Sequence, residues 1–159
     1  MHRHLVRVKD SLNPAVTSGL INATTAYLSF RGAPAIALSA DSISSTDVTV
    51  WSRGVSLAFS LGILVTCVGV LKFRKSVVTQ DPRVAHLVNR PFFPFVLGLA
   101  LHNALFLFGL LVVLAVLWQR FFGTVHVAPP AAAVLVGLLA FVVAATTEVR
   151  TKRGMLTEP

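Results

Sequence analysis

The side chains best suited to chemistry in this sequence stand inside apolar runs. His102 and Asn103 interrupt a stretch, residues 92–118, that otherwise holds no ionisable group. An ionisable side chain at such a position is costly in a bilayer unless it is paired or hydrated, so it marks a candidate functional site. A neutral histidine can equally serve as a hydrogen-bond link between helices, which is worth about 0.6 to 2 kcal/mol. Both roles stay open for His102 at this point.

Two further polar residues, Asn22 and Ser60, are predicted at the membrane depth of His102. Asn22 follows Pro14 by about eight residues and His102 lies about nine residues into its helix, which at about 1.5 Å per residue is roughly 12 to 14 Å. Ser60 precedes the end of its helix by about eleven residues, a similar distance from the same membrane face. We therefore predict one mid-membrane polar cluster of Asn22, Ser60, His102 and Asn103.

The sequence offers little for metal binding or covalent catalysis. Cys67 is the only cysteine, so neither an intrachain disulfide nor a cysteine-based metal site is possible. His86 and His126 fall at opposite ends of the third apolar run, which leaves His102 without a second imidazole for haem unless two subunits share one. The patterns Gly-x-Gly-x-x-Gly, His-Glu-x-x-His and Gly-x-Ser-x-Gly are absent. We expect no cofactor, no metal and no catalytic residue.

Composition predicts the environment of these side chains. Apolar residues make up 55% of the 159 residues and charged residues 13%, and the mean hydropathy is +0.77. That leaves too few polar groups to coat a water-soluble domain. The run 92–118 also exceeds the roughly 20 residues that a helix needs to cross a bilayer. The predicted fold class is an all-α integral membrane four-helix bundle, with residues 1–159 forming a single transmembrane domain.

Capping and turn signals predict where the four helices begin. Asn13 before Pro14 suits a helix N-cap followed by proline at the first helical position. Ser44 with Asp47 resembles a capping box for the second helix, and Pro129 opens the fourth. The predicted helices cover 13–30, 46–72, 92–119 and 129–149, joined by a polar extracytoplasmic loop over 31–45 and a cytoplasmic basic hinge over 73–91. A cleaved signal peptide ending at Ala35-Ile36-Ala37 is the alternative for the first segment.

Small residues recur every four positions on the first two predicted helices. Such spacing places them on one side of a helix, where they let a second backbone approach closely. The neighbour is either another helix of the chain or another subunit. The predicted packing residues are Ala15, Gly19, Ala23, Gly54, Ala58, Gly62 and Thr66.

The basic residues that give the net charge of +8 are concentrated in a few segments of the chain. Eleven of the fourteen Lys and Arg residues fall in the N-terminal segment, in the hinge 73–91 and its border, or after the fourth helix. The positive-inside rule then predicts that both termini are cytoplasmic. No nucleic-acid partner is needed to explain the charge. We expect anionic lipid to contact Lys72, Arg74, Lys75, Arg83 and Arg90.

Residues 13–71 resemble a group of small bacterial four-helix membrane proteins of unassigned function, through segments such as Leu20-Ile21-Asn22-Ala23 and Phe30-Arg31-Gly32. The resemblance implies a bacterial inner-membrane protein and carries no site residues. A second, fainter resemblance, through Arg83-x-x-His86-x-x-Asn89, is to the membrane-associated eicosanoid and glutathione metabolism family. This chain lacks the acidic residues that the family has around that asparagine.

The expected function is that of a non-enzymatic accessory or packing subunit, in a homo-oligomer or a larger membrane complex. The expected partners are the lipid bilayer and either other membrane subunits or further copies of the chain. One alternative is a small carrier or conduit that uses the predicted polar cluster. Another is a lipid- or glutathione-type enzyme that depends on Arg83 or His86.

Overall fold

The computed structural model describes residues 9–39, 48–80 and 92–156. Most of these residues belong to four helices, which confirms the all-α class. The helices are α1 (Lys9–Phe30), α2 (Val50–Gln80), α3 (Phe92–Phe122) and α4 (Pro129–Leu156). Within the described ranges, three helices are long and apolar enough to cross a membrane, namely α2, α3 and α4.

Several helix ends differ from the predicted ones. α1 begins at Lys9, so Pro14 lies inside the helix instead of at its first position. α2 continues to Gln80, through the start of the predicted hinge. α4 continues to Leu156 because its last turns pack on the bundle, with Thr151 and Met155 at 0% and 1% exposure.

A short two-stranded sheet occupies segments that we predicted as connections. Strand β1 (Ile36–Leu38) pairs antiparallel with β2 (Val125–Val127). Trp118 Nε1 also donates to the carbonyl of Leu38 at 3.2 Å. The α1–α2 and α3–α4 connections therefore lie at the same end of the bundle, called here the sheet end.

α2 begins at this sheet end with a cap that differs from the predicted one. The Ser52 amide donates to Thr49 Oγ1 at 3.2 Å, and the Thr49 amide donates to Ser52 Oγ at 3.2 Å. Thr49 Oγ1 also donates to the carbonyl of Ser39 at 3.0 Å, which ties the cap to the end of β1. The predicted cap residues, Ser44 and Asp47, lie outside the described residues.

The helices are arranged in the order α1, α4, α2, α3. α1 packs on α4, α4 packs on α2, and α2 packs on α3, whereas α1 and α2 touch little directly. A groove therefore remains between α1 and α2, with α4 as its floor. Two cavities lie along this groove.

Glycines set two of the helix contacts. A Cβ added to Gly137 would lie 2.7 Å from Ala23 Cβ, so α4 meets α1 backbone to backbone. A Cβ added to Gly62 would lie 2.7 Å from Ala104 Cα, which places α2 equally close to α3. All seven predicted packing residues are buried or half-buried inside this chain. The small-residue seams thus join helices of one chain and do not by themselves require a partner.

Candidate functional site

The structure does not gather the four residues of the predicted cluster. His102 is exposed on the outer side of α3, whereas Asn103 is 1% exposed and faces the bundle. Successive residues of an α-helix are about 100° apart, so two neighbours cannot both point into one interior site. The prediction that His102 lies in an interior cluster with Asn22 and Ser60 is therefore wrong.

Asn103 joins α2, α3 and α4 through buried hydrogen bonds. Its Nδ2 donates to Thr66 Oγ1 at 3.1 Å and to Thr151 Oγ1 at 3.2 Å. Its Oδ1 accepts a hydrogen bond from Arg150 Nε at 3.1 Å. The amide thus uses both of its donors and its acceptor on protein partners. This arrangement is suited to holding three helices in register.

The charges around this amide are also partnered. The Arg150 guanidinium carbon lies 4.1 Å from the centroid of the Phe106 ring, within the range of a cation–π contact. Lys152 Nζ lies 2.8 Å from Glu148 Oε1, and both side chains are about 10% exposed. We predicted that the fourth helix ends at residue 149 with the basic residues after it. The helix instead continues to Leu156, so Arg150 and Lys152 pack on the bundle, whereas Arg153 is exposed.

Asn22 and Ser60, by contrast, line the same cavity. It lies in the groove between α1 and α2, near the sheet end, and has a volume of about 210 Å³. Val136 of α4 contributes to its floor. The remaining lining residues are Thr25, Ala26, Arg53, Ser56 and Leu57.

Arg53 is the cation of this cavity and was not among the predicted site residues. It belongs to the first turn of α2, and its Nη2 donates to Ser29 Oγ on α1 at 3.2 Å. Its Nε is buried and has no hydrogen-bond partner among the described residues. Of the side chains that the structure describes, only Glu148 is a carboxylate, and it is paired with Lys152. Arg53 therefore brings a positive charge to the groove that no described acidic group offsets.

The hydroxyl groups of the cavity are satisfied within their own helices. Ser56 Oγ donates to the carbonyl of Ser52 at 2.9 Å, and Ser60 Oγ donates to that of Ser56 at 2.9 Å. Asn22 Nδ2 likewise donates to the Ser18 carbonyl at 2.8 Å. Such bonds to the preceding turn satisfy polar side chains without a partner on another helix. The groove is polar here, but none of these three hydrogen bonds joins α1 to α2.

Further from the sheet end the groove becomes apolar. A second cavity of about 180 Å³ follows there, and Leu64, one turn beyond Ser60, contributes to its wall. Lys72 and Glu148 supply its charged groups. The other lining residues are Pro14, Val65, Val68 and Gly69.

Only three of the five predicted lipid-contacting cations belong to the described residues. Lys72 and Lys75 are exposed, and Arg74 is half-buried. Arg83 and Arg90 lie outside the described residues, as do His86 and Asn89 of the predicted enzyme motif. In the described part of the chain, no group of three or more His, Cys, Asp or Glu side chains is placed to hold a metal ion.

A second surface surrounds His102 on the outer side of α3. Gly98, His102, Leu105 and Gly109 follow one another at helical spacing and form what we call the α3 stripe. It points away from the face of α3 that carries buried Ala104. A Cβ added to Gly98 or Gly109 would meet no atom within 4 Å, so no described residue covers either glycine.

No protein-family model, curated protein or solved structure matches this chain.

Proposed function

We propose that the protein is a non-enzymatic accessory subunit of a membrane assembly, and that the α3 stripe is the surface that contacts the next subunit. The assembly is a homo-oligomer or a larger complex in a bacterial inner membrane. In this proposal the four helices cross the bilayer, with both termini in the cytoplasm and the sheet end outside.

The crossing pattern is supported by length and connectivity. α1 has 22 residues, which at about 1.5 Å each is roughly 33 Å, enough to match the hydrocarbon core. The pairing of β1 with β2 brings both outer connections to one end. An even number of crossings then returns both termini to the other side, where most Lys and Arg residues lie.

The orientation of His102 carries the proposal for an accessory subunit. In an isolated chain this imidazole would face acyl chains, about 15 Å along α3 from Phe92. Polar groups in a membrane span are costly when they face lipid, and they normally face other helices or water. Gly98 and Gly109 leave space on both sides of the ring for another helix to approach.

The mass of the particle in mild detergent or in nanodiscs tests this proposal. We expect a particle heavier than one 17.0 kDa chain. Replacing Gly98→Leu together with Gly109→Leu should return it to the mass of one folded chain, because the new side chains fill the stripe. Leu97→Phe is the matched control, since Leu97 is 68% exposed on α3 but lies off the stripe. A wild-type particle of one chain without a partner would contradict the proposal.

A carrier or conduit is the second candidate, favoured by the cavity that Asn22 and Ser60 share with Arg53. In that case, liposomes containing the protein should release a small anion such as phosphate faster than protein-free liposomes. Asn22→Leu combined with Ser60→Leu should slow this release, because two apolar side chains fill the polar part of the groove. Liposomes that stay sealed would count against a carrier. The enzyme alternative depends on Arg83 and His86, which lie outside the described ranges, and no contact among the described residues favours it.

A further inference from the structure

We infer that the groove between α1 and α2 binds one anionic phospholipid of the outer leaflet, with the lipid phosphate on Arg53. This site is built from α1, α2 and α4 and shares no residue with the α3 stripe. It goes beyond the proposed accessory role, and it rests on the proposed orientation with the sheet end outside but not on assembly with another subunit.

The charge of the cavity selects the ligand class. Arg53 has a buried Nε without a partner among the described residues, while one of its terminal nitrogens is held by Ser29. No carboxylate lines the cavity. A guanidinium that presents free N–H groups in a fixed plane is the side chain best suited to phosphate. The unmet donor and the unbalanced charge both point to an anion.

The depth of Arg53 favours a lipid over a free anion. Arg53 is in the first turn of α2, two residues after Trp51, whose ring centroid lies 6.2 Å from that of Trp118. Trp118 in turn packs on Phe122, with centroids 4.6 Å apart. Aromatic clusters of this kind are typical of the membrane–water interface, the level of lipid headgroups. Arg53 therefore meets phosphate groups of the outer leaflet directly.

The groove changes from polar to apolar along its length, in the same order as a phospholipid changes from headgroup to acyl chains. Ser56 and Ser60 lie roughly 5 and 10 Å below Arg53 along α2, at the depth of the glycerol and ester groups. Leu64 and Val68 follow from about 16 Å onward, where the second cavity is apolar. Because α1 and α2 do not pack closely on each other, the groove opens sideways to the bilayer. A lipid enters by lateral diffusion in the bilayer. Its acyl chains fit the apolar cavity, whereas a free phosphate has no apolar group to place there.

Native mass spectrometry of the purified full chain, titrated with phosphatidylglycerol, tests this inference. We expect one tightly bound lipid per chain, and at least tenfold weaker binding for Arg53→Gln. Arg120→Gln is the matched control, because Arg120 is an exposed cation at the same end that does not line the cavity. Arg120→Gln should change the affinity for phosphatidylglycerol by no more than about twofold. Ser60→Phe keeps the charge but fills the cavity, so it should also weaken binding about tenfold.

Two outcomes would overturn the inference. One is phosphatidylglycerol binding that is equal in wild type and Arg53→Gln. The other is displacement of the lipid by millimolar inorganic phosphate, which would make the occupant a free anion. The mass of the assembly is read in the same spectra and should not change in Arg53→Gln. Failure of the lipid site and failure of the accessory proposal are therefore distinguishable.

Discussion

Asn103→Leu is expected to destabilise the folded chain by about 2–4 kcal/mol. Leucine has a volume similar to that of asparagine but lacks the amide. That amide accepts a hydrogen bond from Arg150 Nε and donates hydrogen bonds to Thr66 and Thr151. Two buried threonine hydroxyls and the half-buried Arg150 Nε then each lose a partner, although the threonines keep their bonds to the Gly62 carbonyl and to each other. A buried group left unsatisfied costs about 1–3 kcal/mol. Arg150 keeps its contact with Phe106, which limits the loss. Reversible unfolding in mixed micelles, followed by circular dichroism, measures the change.

The neighbouring residue supplies a matched control for this experiment. His102→Leu changes a side chain that no described residue contacts by a hydrogen bond, so it should alter the free energy of unfolding by less than about 0.5 kcal/mol. Both variants should be measured at a detergent excess that keeps chains separate, so that effects on assembly do not enter. If His102→Leu costs as much as Asn103→Leu, the assignment of Asn103 as the buried link and His102 as the outward residue is wrong.

Gly137→Ala is expected to cost about 1–3 kcal/mol and to loosen α1 from α4. The new Cβ would lie 2.7 Å from Ala23 Cβ and 2.9 Å from the carbonyl oxygen of Gly19, so two backbones must separate. α1 packs mainly on α4, so no other helix compensates. Protease susceptibility of α1 and the unfolding midpoint of the whole chain should both report the change.

Gly69→Ala is the matched control on α2. Its added Cβ would lie 3.5 Å from Thr151 Cγ2, an ordinary van der Waals distance. Alanine also favours the helix relative to glycine, so this variant should be neutral or slightly more stable. Equal losses for the two variants would show that the close approach of α1 and α4 does not determine stability.

The helical fold could be predicted because it depends on local signals. Apolar runs and glycine or alanine spacing indicated the helices and the residues along which they pack. The sheet was missed because β1 and β2 have only three residues each, and their pairing joins segments far apart in the sequence. The length of α4 was missed because the charged residues after 148 suggested solvent, whereas the ion pair of Glu148 with Lys152 lets the helix continue along the bundle.

The candidate site was predicted only in part. Depth along each helix put Asn22 and Ser60 at one level, and both line one cavity. Depth does not give the direction of a side chain, and a shift of one residue turns it by about 100°, so His102 was predicted to face the interior although only its neighbour Asn103 does. Arg53 was not predicted as a site residue, because a cation near a helix end did not by itself indicate a site. The serines that follow it at positions 56 and 60 were the signal that could have placed it in a polar groove.

Single-cysteine labelling tests directly whether the chain crosses the membrane four times with the sheet end outside. In a Cys67→Ala background, Pro34→Cys and Thr124→Cys probe the sheet end, and Lys75→Cys and Arg153→Cys probe the other end; all four native residues are exposed. In spheroplasts of an expressing bacterium, a membrane-impermeant maleimide should label the first two variants at once and the last two only after permeabilisation. Labelling of Pro34→Cys and Thr124→Cys from opposite sides, or of Arg153→Cys from outside, would contradict the four-crossing bundle.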